Sequence, residues 1–97
     1  MTVKVIALLT IREDEPKALA EYLDRAEPIL SRSGARIAAR YAVTDTLVGD
    51  PTVKTMVVVE YPSREAVRDA LESPEYAALK PLRDRAFAHY QISVVDA

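Results

Sequence analysis

Two segments of this chain are apolar on both of their alternating faces. Between Thr2 and Ile11, Val3, Val5, Ala7 and Leu9 fall on one side and Ile6 and Leu8 on the other; between Thr52 and Tyr61, Met56 and Val58 stand opposite Val57 and Val59. Successive side chains of a strand point to opposite faces, so strands of this kind need cover on both sides. A chain of 97 residues, 49% of them hydrophobic, has material for one core and one layer of helices. The second face must find its cover elsewhere. The simplest cover is the same face of a second copy, sheet against sheet about a two-fold axis.

The remaining pattern supplies the helices. Asp14 reads as an N-cap with Pro16 in the first turn, and Leu19, Tyr22, Leu23, Ala26, Ile29 and Leu30 recur at helical spacing up to Gly34, the expected C-terminal glycine. Pro28 predicts a kink near Asp24 to Pro28. Alternation returns from Ala35 to Val48, Gly49-Asp50-Pro51 signals a turn, and Thr52 to Tyr61 completes a hairpin. Ser63 caps a short helix from Arg64 to Leu71; Ser73 and Pro74 open another that runs through Tyr76 and Leu79, past an interruption at Pro81, to Phe87. His89 to Val95 is the last strand. The order β, α, β, β, α, β predicts one α+β domain over residues 1–97: a ferredoxin-like four-stranded antiparallel sheet in strand order 4-1-3-2, with both helical segments on one face.

Composition narrows the function classes. Thirteen basic and fifteen acidic residues leave a net charge of −2, with no electrostatic reason to expect nucleic acid or an anionic membrane as partner. The absence of cysteine removes disulfides, thiolate catalysis and cysteine-ligated zinc. One histidine, with no paired metal-ligand spacing, leaves no expectation of a metal or another cofactor. The apolar run from Val5 to Leu9 is too short for a signal sequence or a membrane span and reads as a buried strand of a cytoplasmic protein. Two glycines cannot furnish a phosphate-cradling loop.

If the helices cover the face bearing Val5, Ile37, Val57 and Ile92, and no bulge intervenes, the open face receives Lys4, Ile6, Leu8, Thr10, Arg36, Arg40, Met56, Val58, Glu60, His89, Gln91 and Ser93. Among these, Arg40, Glu60 and His89 are the candidate catalytic set: a planar cation for a carboxylate or enolate, a carboxylate base, and a group titrating near neutrality. Each also has a structural reading. Arg40 and Glu60 can pair across neighbouring strands, Glu60 can fix the proline turn, and His89 can be an ordinary strand-entry residue. Arg64, Glu65, Arg68, Asp69 and Glu72 read as a solvated helix face with i,i+4 pairs, and Tyr22, Tyr41, Tyr61 and Tyr90 as core or interface.

Gly34 followed by Arg40, the Gly49-Asp50 turn, Val58-Val59-Glu60-Tyr61-Pro62-Ser63, Ser73-Pro74-Glu75-Tyr76 and Arg83 together resemble the bacterial family known as domain of unknown function 1330, over nearly the whole chain. The resemblance implies membership of the dimeric α/β barrel superfamily, which also holds cofactor-free monooxygenases, muconolactone isomerases and chlorite dismutase-like haem proteins. That family often carries a glutamate just before the Gly-Asp turn, where this chain has Val48. Its motif also marks Tyr76 and Arg83 as candidate substrate-binding residues at a pocket mouth.

Three functions follow as expectations: a cofactor-independent enzyme, monooxygenase-like or isomerase-like, acting on a small aromatic or enolisable metabolite; a dimer that binds a small apolar or aromatic ligand without turning it over; or a structural dimer whose open face is filled by Ile6, Leu8, Met56 and Val58. A haem role would have to use His89, the one histidine, as axial ligand.

Overall fold

The computed structural model describes residues 2–96. Its elements are β1 (Val3–Ile11), α1 (Pro16–Arg32), β2 (Arg36–Ala42), β3 (Thr55–Tyr61), α2 (Arg64–Leu71), α3 (Pro74–Ala77), α4 (Lys80–Ala86) and β4 (Phe87–Val95). The strands form one antiparallel sheet in the order β2-β3-β1-β4, the expected order read from the other edge. The two doubly apolar strands, β1 and β3, are its centre, as their patterning demands. The fold is α+β and ferredoxin-like. A Cα envelope of 34 × 33 × 16 Å describes a slab of two layers, sheet and helices.

Local chemistry explains the corners. Ser63 Oγ accepts from the Ala66 amide and Ser73 Oγ from the Tyr76 amide, both at 3.1 Å, so both serine caps form as the sequence predicts. α1 starts after Glu15 rather than Asp14 and has no side-chain cap, and it runs through Pro28 to Arg32 as one helix. It ends in paired bonds, Gly34 N–H to the Ser31 carbonyl at 2.9 Å and Ala35 N–H to the Leu30 carbonyl at 3.1 Å, with Gly34 at φ +85°. This is the Schellman arrangement, which glycine admits without strain. Pro81 does not interrupt a helix; it occupies the first turn of α4, where its missing N–H is not needed.

Strand lengths differ from the alternation pattern. β2 stops at Ala42, not Val48, and β3 begins at Thr55, not Thr52. The intervening residues hold only one rung, Val43 N–H to the Lys54 carbonyl at 2.8 Å, before Asp45, Gly49 (φ +92°), Asp50 and Pro51 break the ladder. Leu47 and Val48 are fully exposed there, so their apolar character did not mark a strand. β4 begins two residues earlier than the pattern suggests, at Phe87.

Two bulges reset the faces. In β2, Ile37 pairs with Val59 but Ala39 pairs with Val58, so Ala38 is extra. Arg36 therefore stays opposite Glu60, while Arg40 faces Val57 and Tyr41 faces Met56. In β4, Thr10 pairs with His89 and Ile11 with Phe87, which leaves Ala88 extra and turns Phe87 to the helix side, where it is buried. The core lies between sheet and helices: Ala18, Tyr22, Ala26, Ile29, Tyr76, Leu79, Ala86 and Phe87 on one side, Val5, Tyr61, Val67 and Ala70 on the other. No helix covers the opposite face, on which Ile6, Leu8, Met56 and Val58 are only half-buried. Among the described residues, no helix is long and apolar enough to cross a membrane.

Candidate functional site

Three tyrosines converge beneath the helices. Tyr22 lies on the small-residue stripe of α1, between Ala18 and Ala26. Tyr76 is set by the Ser73 cap, and Tyr90 pairs with Leu9 on the helix side of β4. Their hydroxyls form a triangle: Tyr22 to Tyr76 at 2.7 Å, Tyr22 to Tyr90 at 3.0 Å, Tyr76 to Tyr90 at 3.2 Å. Phe87 supports the cluster, its ring centroid 5.3 Å from that of Tyr22 and nearly perpendicular to it. Burial, and then the charges of the neighbouring phenols, push Tyr22 and Tyr90 well above the ordinary tyrosine range. At neutral pH these two are hydrogen-bonding phenols and not bases.

Arg83 of α4 closes the cluster. Its guanidinium carbon stands 5.4 Å from the ring centroids of both Tyr76 and Tyr90, a double cation–π contact. Burial works against its charge, but its interaction with Tyr76, and then with Tyr22 and Tyr90, outweighs this and holds its pKa above the ordinary value. It is a permanent, partly desolvated cation with room to take a ligand oxygen.

That room is a cavity of about 730 Å³ between α2, the α3–α4 segment and the edge strand β4. Tyr76, Phe87, Tyr90 and Ile92 form an aromatic and aliphatic floor. Arg12, Arg64, Arg68, Lys80 and Arg83 bring five cations to its wall against Glu72 and Asp84, and Asp84 is held by Lys80 at 2.7 Å. Lys80 keeps the Asp84 carboxyl below its ordinary range, so Asp84 is a poor base. A second, mainly apolar cavity of about 420 Å³ lies beside α1 and shares Phe87 and Tyr90 with the first. Among the described residues, no group of three or more histidines, aspartates and glutamates is placed to hold a metal ion.

The structure brings Tyr76 and Arg83 together but not Arg40, Glu60 and His89. The bulge at Ala38 takes Arg40 away from the open face and leaves it exposed. The ion pair expected between Arg40 and Glu60 is instead made by Arg36, with Lys4 opposite Glu60 on β1. His89 lies opposite Thr10, at the far end of β1 from Lys4, so Glu60 and His89 are separated by about six residues of strand, roughly 20 Å. This cavity is on the helix side of the sheet. Pattern reads Tyr90, Arg64 and Arg68 as core or solvent, and yet they line this cavity, while Tyr22 stands behind it and bonds the Tyr76 and Tyr90 hydroxyls. The parity of Tyr90 with Ile92 was the available signal, since both then face the helices. The i,i+4 pairs expected on α2 do not form among the described residues.

The fold recurs in solved structures. A protein of unknown function from Rhodopseudomonas palustris superposes with a TM-score of 0.79 at 19% identity, over 99% of this chain and 82% of that one. A Nitrosomonas europaea protein named for antibiotic biosynthesis monooxygenase gives 0.65 at 15% identity, over 99% and 89%. A dimeric, ferredoxin-like protein of unknown function from Bacteroides fragilis gives 0.57 at 16% identity, over 99% and 96%. At these identities the likeness is one of fold. No curated protein matches the chain. The model of the family described as Domain of unknown function (DUF1330) matches residues 4–97, and the chain belongs to that family.

Proposed function

We propose that the helix-side cavity binds a small aromatic or enolisable carbonyl acid and that Arg83, with Tyr76 and Tyr90, stabilises its oxyanion. The observation that carries this reading is the placement of Arg83 over both tyrosine rings in a cavity of about 730 Å³, a volume suited to a metabolite. The floor suits a planar ring. The longest hydroxyl link, Tyr76 to Tyr90, joins the two tyrosines that line this cavity, so a ligand oxygen can take that donor at the least loss. An enolate formed there would be held by one cation and one phenol, with the developing negative charge in a partly dry site. Glu72, the lining carboxylate without an ion-pair partner among the described residues, is the available proton acceptor. This is cofactor-independent chemistry of the isomerase kind. Arg40, Glu60 and His89 take no part in this cavity.

Phenylpyruvate, an aromatic, enolisable acid, tests the reading. Amide chemical shifts of Val67, Ala88 and Ile92 are expected to move on titration, and the response to vanish in Arg83→Met. Exchange of the benzylic protons in deuterated solvent, above the uncatalysed rate and lost in Glu72→Gln, identifies an enzyme; binding without exchange identifies the non-catalytic binder. No shift at these amides at millimolar ligand would remove the reading altogether.

The uncovered sheet face supports a second element of the proposal: the chain works as a homodimer through Ile6, Leu8, Met56 and Val58. This is the face no helix covers, and the matched Bacteroides fragilis protein is described as dimeric.

A further inference from the structure

We propose that the cavity takes a ligand with two anionic groups, the first at Arg83 and the second at the rim between Arg64 and Arg68 of α2. This rests on the binding reading above and specifies its ligand as a dianion.

Nine arginines occur in the chain, and among the described residues Arg12, Arg25, Arg32, Arg36 and Arg85 each lie within 4.0 Å of a carboxylate. Of the four that do not, Arg64, Arg68 and Arg83 line this one cavity. Convergence of unpaired guanidinium groups on a concave site is the usual provision for an anion, since the planar fork binds a carboxylate through two parallel bonds. The helix itself rewards only Arg68, which lies in its last turn. Arg64 and Arg68 are like charges one turn apart, which weakens a helix, and Arg64 follows the Ser63 cap, at the positive end of the helix dipole. The carboxylates in reach leave them free: Glu72 is four residues from Arg68 without pairing to it, and Asp84 is engaged by Lys80. Because Arg64 and Arg68 project from α2 while Arg83 belongs to α4, the cations fall into two groups on separate elements. A monoanion answers one group; a dianion with a planar body answers both.

Calorimetric titration of the full chain with phenylacetate and with its meta- and para-carboxylated derivatives tests this. The better dianion is expected to bind about tenfold more tightly than phenylacetate, the gain from one added charge-assisted contact at an exposed rim. In Arg64→Gln/Arg68→Gln the dianion is expected to bind no more tightly than phenylacetate does to the same variant, with the helical circular dichroism intact because both side chains are exposed. Equal affinity for monoanion and dianion, or an advantage that survives in the double variant, overturns the dianion proposal and leaves the binding reading standing. Arg83→Met separates the two: undiminished binding of phenylacetate by this variant overturns the binding reading itself. If none of the acids binds the native chain, both fall.

Discussion

A Cβ on Gly34 would stand 2.8 Å from Cγ of Pro62, so the end of α1 and the turn after β3 are packed as closely as a glycine permits. The same glycine has φ +85° and closes the Schellman bonds. Gly34→Ala therefore meets two penalties, a left-handed backbone and an overpacked corner, together about 2–4 kcal/mol. Urea unfolding measures the loss. Shrinking the proline relieves the steric part alone, so Gly34→Ala/Pro62→Ala should be less unstable than the two single effects added together. Strict additivity would show that the contact carries no energy.

Tyr22 makes the two shorter links of the hydroxyl triangle and does not line the cavity at Arg83. Removing its hydroxyl leaves the Tyr76 and Tyr90 phenols one partner poorer in a buried place. Tyr22→Phe is expected to lower stability by about 1–2 kcal/mol while ligand affinity changes little. Tyr76→Phe, by contrast, should weaken both. Equal effects of the two variants on binding would mean that the triangle acts as one unit toward the ligand.

Alkaline pH should expose the same cluster. Tyr22, Tyr90 and Tyr61 are all raised from an ordinary value of 10.0, chiefly by burial. Below that pH they are protonated in both folded and unfolded chains and contribute no pH dependence. Above it the unfolded chain releases protons that the folded chain retains, so stability falls as pH rises, by about 1.4 kcal/mol per pH unit for each retained proton. Urea midpoints measured from about pH 9 to about pH 11.5 should drop progressively, and the drop should be shallower in Tyr22→Phe. A flat profile would mean that these phenols ionise freely in the folded protein.

Both serine caps form, but they are not equivalent. Ser73 Oγ accepts from Tyr76 N–H and also donates to the Ala70 carbonyl at 2.8 Å, bridging α2 to α3, whereas Ser63 only accepts. Ser63→Ala should cost about 1 kcal/mol, a typical cap. Ser73→Ala should cost more, and because it releases the segment that carries Tyr76, it should also weaken ligand binding. Thermal unfolding and titration of the two variants side by side decide the order.

The elements of this fold are legible because their signals are local: serines before helices, a glycine after one, and strands apolar on both faces where they are central. What escapes the pattern is non-local. Alternation predicts faces only while register holds, and one extra residue at Ala38 exchanges Arg40 for Tyr41 on the open face and gives Glu60 to Arg36. Leu47 and Val48 carry strand-like side chains into a segment whose backbone Gly49 and Pro51 prevent from pairing. The family motif points to Tyr76 and Arg83, which the fold places side by side. Tyr22 reads as core and is core, whereas Tyr90 is half-buried and lines the cavity; that their hydroxyls meet is fixed by tertiary packing, which no spacing within the sequence encodes.

Ile6 and Val58 are direct cross-strand neighbours on the face that no helix covers, and both remain half-buried at best in the isolated chain. A carboxylate placed there would be stranded against a second sheet but solvated in a lone chain, so its effect separates folding from association. Val58→Glu is expected to leave circular dichroism near native at low temperature and to convert a dimer into a 10.7 kDa monomer in sedimentation equilibrium. The position supports the contrast, because Val58 does not belong to either buried cluster between sheet and helices. Val57→Glu, one residue away on the helix side, should instead unfold the chain, since Val57 is buried in the monomer. A Val58→Glu protein that still sediments as a dimer would place the interface on another surface and leave the apolar open face without a partner.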